Sequence, residues 1–325
     1  MMRSILAALA AALALLSGCA SEGTMDPEFR TIDPGNLPPA NITLNIPGLG
    51  PCTDNPDRSL HLNAQQPVTV LVHGCFGSSG RFRGLAQVLA FHGQQTACFT
   101  YNDRDSMMLS SGQLTSALNQ LAQKMDNKHV TVIGHSQGAL IARKALVGSR
   151  PDPIRNGDLQ LRLVTVSGPF AGIASASQCG NPVTRLLTLG LVELTCKIIT
   201  GDKWSEITYT SDFILQPGPL HKQVNDYLKV VTDERGTCRR LDKEKCAETD
   251  DVFSLEEQRS AIIDRDPIAK IVEVRAGHVE IIGDKRVAPI KLIAILQQNG
   301  ILNPTEPQRR TDLNLLLMKL YGAAN

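Results

Sequence analysis

Residues 129–138 read His-Val-Thr-Val-Ile-Gly-His-Ser-Gln-Gly. A β-branched run stops at Gly134, and Ser136 stands with a glycine two places before it and two places after it. The run 129–133 is of the kind that forms a buried parallel strand. Residues 139–147 beyond it are rich in helix formers and hold no breaker. A chain that passes from strand to helix within one residue forces that residue into a strained backbone conformation. Its neighbours at minus two and plus two must then be nearly free of side chain, and Gly134 and Gly138 are. The turn lifts the Ser136 hydroxyl out of the sheet, at the positive end of the following helix, where a developing negative charge is stabilised. In a chain with 26 glycines the pentapeptide alone would carry little weight. Strand before and helix after make Ser136 the expected nucleophile.

Outward from this turn, strands and helices alternate. Residues 67–73 form a near-continuous apolar strand that runs into Gly74-Cys75-Phe76-Gly77-Ser78-Ser79-Gly80. Residues 82–92 are helix-like with Leu85, Val88 and Leu89 on one side, and 96–101 read as the next strand. Leu114, Leu118, Leu121 and Met125 recur at steps of four, three and four, the stripe of a helix packed on a sheet. This order predicts an α/β fold: a doubly wound, mostly parallel sheet with helices on both faces and ligands at the carboxyl ends of the strands.

The Gly-His-Ser-Gln-Gly turn in this setting resembles the α/β-hydrolase family, in particular bacterial lipases and esterases. The resemblance implies a serine esterase that needs no cofactor, acting on an ester or lipid substrate through an acyl-enzyme on Ser136; an acyltransferase using the same residues and a catalytically inactive, lipid-binding lipoprotein of the same fold are the alternatives. Acyl transfer needs two backbone N–H donors aimed at the oxyanion. In lipases that this stretch resembles, His-Gly ends the strand and the next residue supplies one donor. That assigns the oxyanion hole to Cys75 and Gln137, with Phe76 as the alternative to Cys75.

A serine hydroxyl needs an imidazole to take its proton and a carboxylate to hold that imidazole's tautomer. Of seven histidines only His221 and His278 follow Ser136, and the family's chain order is serine, acid, histidine. Residues 268–274 have a strand's apolar content, so His278 falls on a loop just past a carboxyl end. His221 follows Pro217-Gly218-Pro219 with no strand leading into it. His278 is therefore the expected base. For the acid, Asp250-Asp251-Val252-Phe253-Ser254 resembles the family's acid followed by apolar residues and a helix start, and Ser254-Leu255-Glu256-Glu257 forms a capping box. Asp250 is the expected acid, with Asp251 and Asp212 as rivals. Residues 228–232 would be its strand, with a charged loop, 233–249, inserted between the two.

Residues 159–167 give one more strand. Beyond it the stretch 182–200 is apolar nearly all round, as a buried helix or one that meets acyl chains would be. Its reading as a lid over the site, within 173–227, and as a plain core helix both stand. Residues 287–297 and 312–321 read as closing helices, the last with Leu315, Leu316 and Leu317 to bury.

Residues 1–18 carry Arg3, a short apolar run and a small-residue end, the pattern of a secretory signal. Leu16-Ser17-Gly18-Cys19 resembles a bacterial lipoprotein cleavage box, which implies lipidation of Cys19, a membrane anchor and, with Ala20 next, the outer membrane. Residues 19–39 would be a tether, and 40–325 a single domain. Lys plus Arg number 33 against 32 for Asp plus Glu, so no basic field exists to hold nucleic acid. Eight cysteines in an exported chain suggest disulfides. Cys179 with Cys196 and Cys238 with Cys246 bracket local loops, Cys52, Cys75 and Cys98 compete for a third bridge, and one thiol stays reduced. No spacing suggests a metal site.

Overall fold

A computed structural model describes residues 35–75, 77–173, 203–284 and 286–322. The signal segment, Cys19, nearly all of the tether, Phe76, the pairing of Cys179 with Cys196 and the lid stretch 182–200 lie outside them.

In chain order the strands are β1 (Ile42–Leu44), β2 (Leu49–Gly50), β3 (Leu60–Leu62), β4 (Val68–Val72), β5 (Gln95–Phe99), β6 (His129–His135), β7 (Gln160–Val166), β8 (Val224–Asp233), β9 (Cys238–Asp242), β10 (Lys245–Thr249) and β11 (Ala269–Arg275). The helices are α1 (Arg83–Phe91), α2 (Met107–Lys124), α3 (Gln137–Ala145), α4 (Lys203–Glu206), α5 (Asp212–Leu215), α6 (Leu255–Gln258), α7 (Ala261–Asp264), α8 (Ile290–Gln298) and α9 (Arg310–Tyr321). Seven strands form one sheet in the order β11-β8-β7-β6-β4-β5-β2, parallel throughout except for β2, which pairs antiparallel with β5 at one edge. With helices on both faces, this is an α/β-hydrolase fold.

The strands alternate between two hydrophobic cores, as a period of two requires. Val68, Val70 and Val72 of β4, Val130 and Val132 of β6, and Leu161 and Leu163 of β7 join α2 and α3 in one core. Leu71, Ile133, Val164 and Val166 point the other way, into a core shared with α1 and α8. Leu114, Leu118 and Leu121 of α2 are fully buried, each contributing about 2 kcal/mol of hydrophobic stabilisation. β1, β2 and β3 are only two or three residues long, too short for a period to show, and the β9–β10 hairpin is mostly exposed. In α9 the buried positions are Leu313 and Tyr321, while Leu315 is largely exposed. The helix is turned so that Leu317 and Leu320, not the whole leucine run, rest on the core.

Cys52 pairs with Cys98, a buried bridge from the segment after β2 to β5, which settles the competition among the three cysteines. Cys238 pairs with Cys246 across the β9–β10 hairpin, at the spacing expected. Cys75 belongs to neither bridge. No helix among the described residues is long and apolar enough to cross a membrane, and no group of three potential ligands among them could hold a metal ion.

Candidate active site

Ser136 follows the last residue of β6 and caps α3, with φ 58° and ψ −127°. Such a backbone is costly for a residue with a side chain and persists only where the surroundings impose it. They do. A Cβ on Gly134 would lie 2.3 Å from the Gly138 carbonyl oxygen, and one on Gly138 would lie 2.3 Å from that of Val72 and 2.4 Å from that of His73. The two glycines let β4, β6 and α3 converge under the serine. Ser136 N–H donates to the Val166 carbonyl at 2.9 Å, locking the turn to β7.

The loop after β4 lies against this turn. A Cβ on Gly74 would come within 2.9 Å of Ser136 Cβ and 3.4 Å of its Oγ. Cys75 is the next residue, and Gln137, the first of α3, is buried beside the serine. The loop is held from β5's side, where Tyr101 donates its hydroxyl to the His73 carbonyl at 2.7 Å and stacks on the His73 ring with centroids 4.3 Å apart.

His278 sits in the loop after β11, buried between two rings. Phe253 meets it edge-on at 4.8 Å and His135, the residue before Ser136, at 4.7 Å. The Nδ1 of His278 is 3.0 Å from Glu234 Oε1. Here the structure corrects the sequence reading, because the carboxylate on the imidazole is Glu234 and not Asp250. Glu234 directly follows β8, so the inserted β9–β10 hairpin comes after the carboxylate rather than before it. Its neighbour Asp233 is gripped instead by Arg235 and Arg275.

Glu234 is fully engaged. Its Oε1 also accepts from the hydroxyls of Ser167 at 2.6 Å and Thr232 at 2.7 Å, and its Oε2 accepts from the amides of Val252 and Phe253, both at 2.8 Å. Burial alone would raise its pKa; hydrogen bonds and charge from His278, with those from Ser167 and the Phe253 amide, bring it below the ordinary glutamate value.

Asp250 has a different task. Its backbone carbonyl accepts from His278 N–H at 2.9 Å, and its carboxylate accepts from the amides of Val279 and Glu280 at 3.0 and 2.9 Å. It fastens the loop that carries the histidine, while burial raises its own pKa against the pull of those amides. The rivals are elsewhere. Asp251 is exposed and contacts the Gly236 amide, and Asp212, at the start of α5, accepts from Gln216 just past its end. His221 packs on Gly148 and donates its backbone N–H to Leu146. Glu234 had one signal in the sequence, an acidic residue directly past the strand. The pattern at Asp250, an acid ahead of a capped helix, competed with it. The capping box itself forms at Ser254 and Glu257.

His135 Nε2 is 2.9 Å from the His278 carbonyl oxygen. Burial, then the nearby His278, lowers the pKa of His135 to about 3, so the ring stays neutral and donates to that carbonyl. The unfolded chain takes up a proton at His135 below about pH 6.5 that the folded chain refuses until near pH 3. Stability is therefore lost as pH falls through that window, by about 2 kcal/mol at pH 5 from this group. Urea unfolding at pH 7 and pH 5 should show His135→Gln, which keeps a donor but does not titrate, losing about 2 kcal/mol less than the native chain. His73 and His92, also lowered by burial, add the same trend to both proteins. Equal losses would mean that His135 is not held neutral.

A family model described as palmitoyl protein thioesterase matches residues 67–257, more than half of the chain. The match takes in Cys75, Ser136, Gln137, Glu234 and Asp250 and stops short of His278. No curated protein matches the chain in sequence. Among solved structures, the propeptide form of the Bacillus licheniformis lipase BlEst2 is 16% identical with a TM-score of 0.51, over 79% of this chain and 54% of that one, a likeness of fold. The mature form of that lipase is 15% identical with a TM-score of 0.46, over 78% of this chain and 97% of that one. Esterase B from Lactobacillus rhamnosis is 12% identical with a TM-score of 0.49, over 96% and 98% of the two chains.

Proposed function

Since the chain belongs to the palmitoyl protein thioesterase family, we propose that it is a serine hydrolase that cleaves acyl esters or thioesters through an acyl-enzyme on Ser136. That it is a hydrolase acting on ester-type bonds follows from the family. Two observations carry the reading of an acyl-enzyme on Ser136: Ser136 is forced to φ 58° at the turn, and the ring of His135, the residue before it, packs against His278, a buried histidine whose Nδ1 is engaged by a carboxylate.

With Nδ1–H donated to Glu234, Nε2 of His278 is left to take the Ser136 proton as Oγ attacks the acyl carbonyl. Charge moves onto the carbonyl oxygen, towards the amides of Cys75 and Gln137, each worth about 3 kcal/mol to the transition state. The protonated imidazole, stabilised by Glu234, then gives its proton to the departing alkoxide or thiolate. Water attacks the acyl-enzyme by the same route in reverse. Phe253 and His135 flank the His278 ring and, with Glu234 on Nδ1, hold its orientation.

An inactive lipid-binding fold would draw its support from a missing acid. Glu234 fills that place, so the hydrolase is the better-supported reading. The test is labelling by a fluorophosphonate probe, followed by mass analysis of the peptide containing Ser136. It is paired with turnover of p-nitrophenyl palmitate and of an S-palmitoyl peptide whose released thiol is measured. The expected result is one adduct, on Ser136, and turnover of at least one substrate. No adduct and no turnover in folded protein would overturn the proposal.

The anchor belongs to the same proposal: acylated Cys19 would hold the enzyme at a bacterial envelope, with the outer membrane as the expected site. Expression with an alkyne-labelled fatty acid should label the native chain and not Cys19→Ala; label on both would remove the anchor.

A further inference from the structure

Lys203, the first residue of α4, is buried, its side chain only 2% exposed. A buried ammonium is expensive unless it is paired, and even a paired one adds little net stability. Its partners are therefore informative. Lys203 Nζ donates to Cys75 Sγ at 3.0 Å and to Asp103 Oδ2 at 3.1 Å. Cys75 follows Gly74, which packs on Ser136, and Asp103 lies in the loop after β5 beyond Tyr101, whose hydroxyl holds the His73 carbonyl. One cation thus ties together the two loops that leave the adjacent strands β4 and β5. α4 is itself attached to the start of α2, where Glu206 accepts from the Ser106 hydroxyl at 2.6 Å and from the Met107 amide.

We propose that Lys203 is a positioning residue for the oxyanion hole: through the Cys75 thiol it fixes the peptide whose N–H receives the carbonyl oxygen of the substrate. The proposal rests on the reading of Ser136 and of the Cys75 amide given above. The Cys75 side chain takes no part in the chemistry; it is the handle by which the loop is held. An oxyanion donor works only at the position the developing charge will occupy, and a shift of about 1 Å from a distant cause can cost 100-fold in rate. The geometry also accounts for a cysteine in a catalytic loop without any covalent role for it.

The experiment compares the native chain with Lys203→Met, Cys75→Ala, the double variant and Cys75→Ser on p-nitrophenyl butyrate, together with the second-order rate of fluorophosphonate labelling. Lys203→Met keeps the length and apolar stem and leaves Asp103, which is partly exposed, accessible to water. The expected result is a fall in kcat of about 10- to 100-fold with KM changed less than about twofold. The labelling rate should fall by the same factor, because phosphonylation uses the same donors. Cys75→Ala should show the same loss, the double variant no further loss, and Cys75→Ser, which restores an acceptor, a partial recovery. A kcat for Lys203→Met within about twofold of native overturns the proposal, as do losses in the two single variants that multiply in the double. A loss that appears in Tm and in KM as much as in kcat marks a packing role and overturns it equally. Should the native chain itself fail to label at Ser136, it is the nucleophile assignment that falls, and the two failures are told apart on the native protein alone.

Discussion

Glu234→Gln should lower kcat by about 10³- to 10⁴-fold with KM little changed, while Asp250→Asn should cost about tenfold. The difference follows from what each carboxylate touches. Oε2 of Glu234 receives two backbone amides, from Val252 and Phe253, which demand an acceptor. In Glu234→Gln the amide oxygen is drawn to that side and the NH₂ group is turned towards His278 Nδ1. The imidazole must then present Nδ1 as acceptor and place its hydrogen on Nε2, facing the serine, which is the wrong tautomer for a base. Among the described residues the Asp250 carboxylate accepts only from backbone amides of the histidine loop. An asparagine there keeps one good acceptor and loses another, costing about 1–3 kcal/mol of stability and some precision in the loop. Steady-state kinetics and urea unfolding on the two variants separate these outcomes. A loss of 10³ or more in Asp250→Asn beside a small one in Glu234→Gln would return the acid to Asp250.

Ser136→Ala should abolish fluorophosphonate labelling and lower kcat by about 10⁴- to 10⁶-fold. What remains would come from binding and the oxyanion amides. The control is Ser167, a second serine at positive φ (48°), whose Oγ lies 2.9 Å from His278 Nδ1. It stands on the wrong nitrogen to be activated, and its hydroxyl donates to the Glu234 carboxylate, which holds it as a ligand of the acid. Ser167→Ala should keep labelling and lose about tenfold in kcat, by slackening Glu234. If Ser136→Ala still labels and Ser167→Ala does not, the two serines have exchanged roles and the elbow is structural.

Between them the two variants test a site assembled from four segments: the ends of β4, β6 and β8 and the loop after β11. The β9–β10 hairpin, closed by the Cys238–Cys246 bridge, lies between Glu234 and Asp250. The amide of Asp250 donates to the Thr237 carbonyl and the Thr237 hydroxyl donates to the Glu234 carbonyl. The hairpin is therefore an excursion whose two ends are pinned together. The carboxylate that faces the His278 ring and the one that fastens the loop carrying it are thereby brought to the same loop.

The sequence by itself determined what is written in short-range pattern. Six parallel strands and the larger helices follow from apolar runs and from periods of two and 3.6. The turn at Ser136 follows because only glycine leaves room at positions 134 and 138, and the loop position of His278 follows from the strand before it. Tertiary structure alone decided which carboxylate meets the imidazole, which cysteine joins Cys98 and which cation the Cys75 thiol meets. Each of these is a contact between groups far apart along the chain, and pairing energy depends on distance in space. A strand's end gives two successive side chains opposite directions, so Asp233 turns to its arginines and Glu234 to the histidine. No pattern in the residues 233–251 reports that difference, because it is set by the arrival of β11 alongside β8.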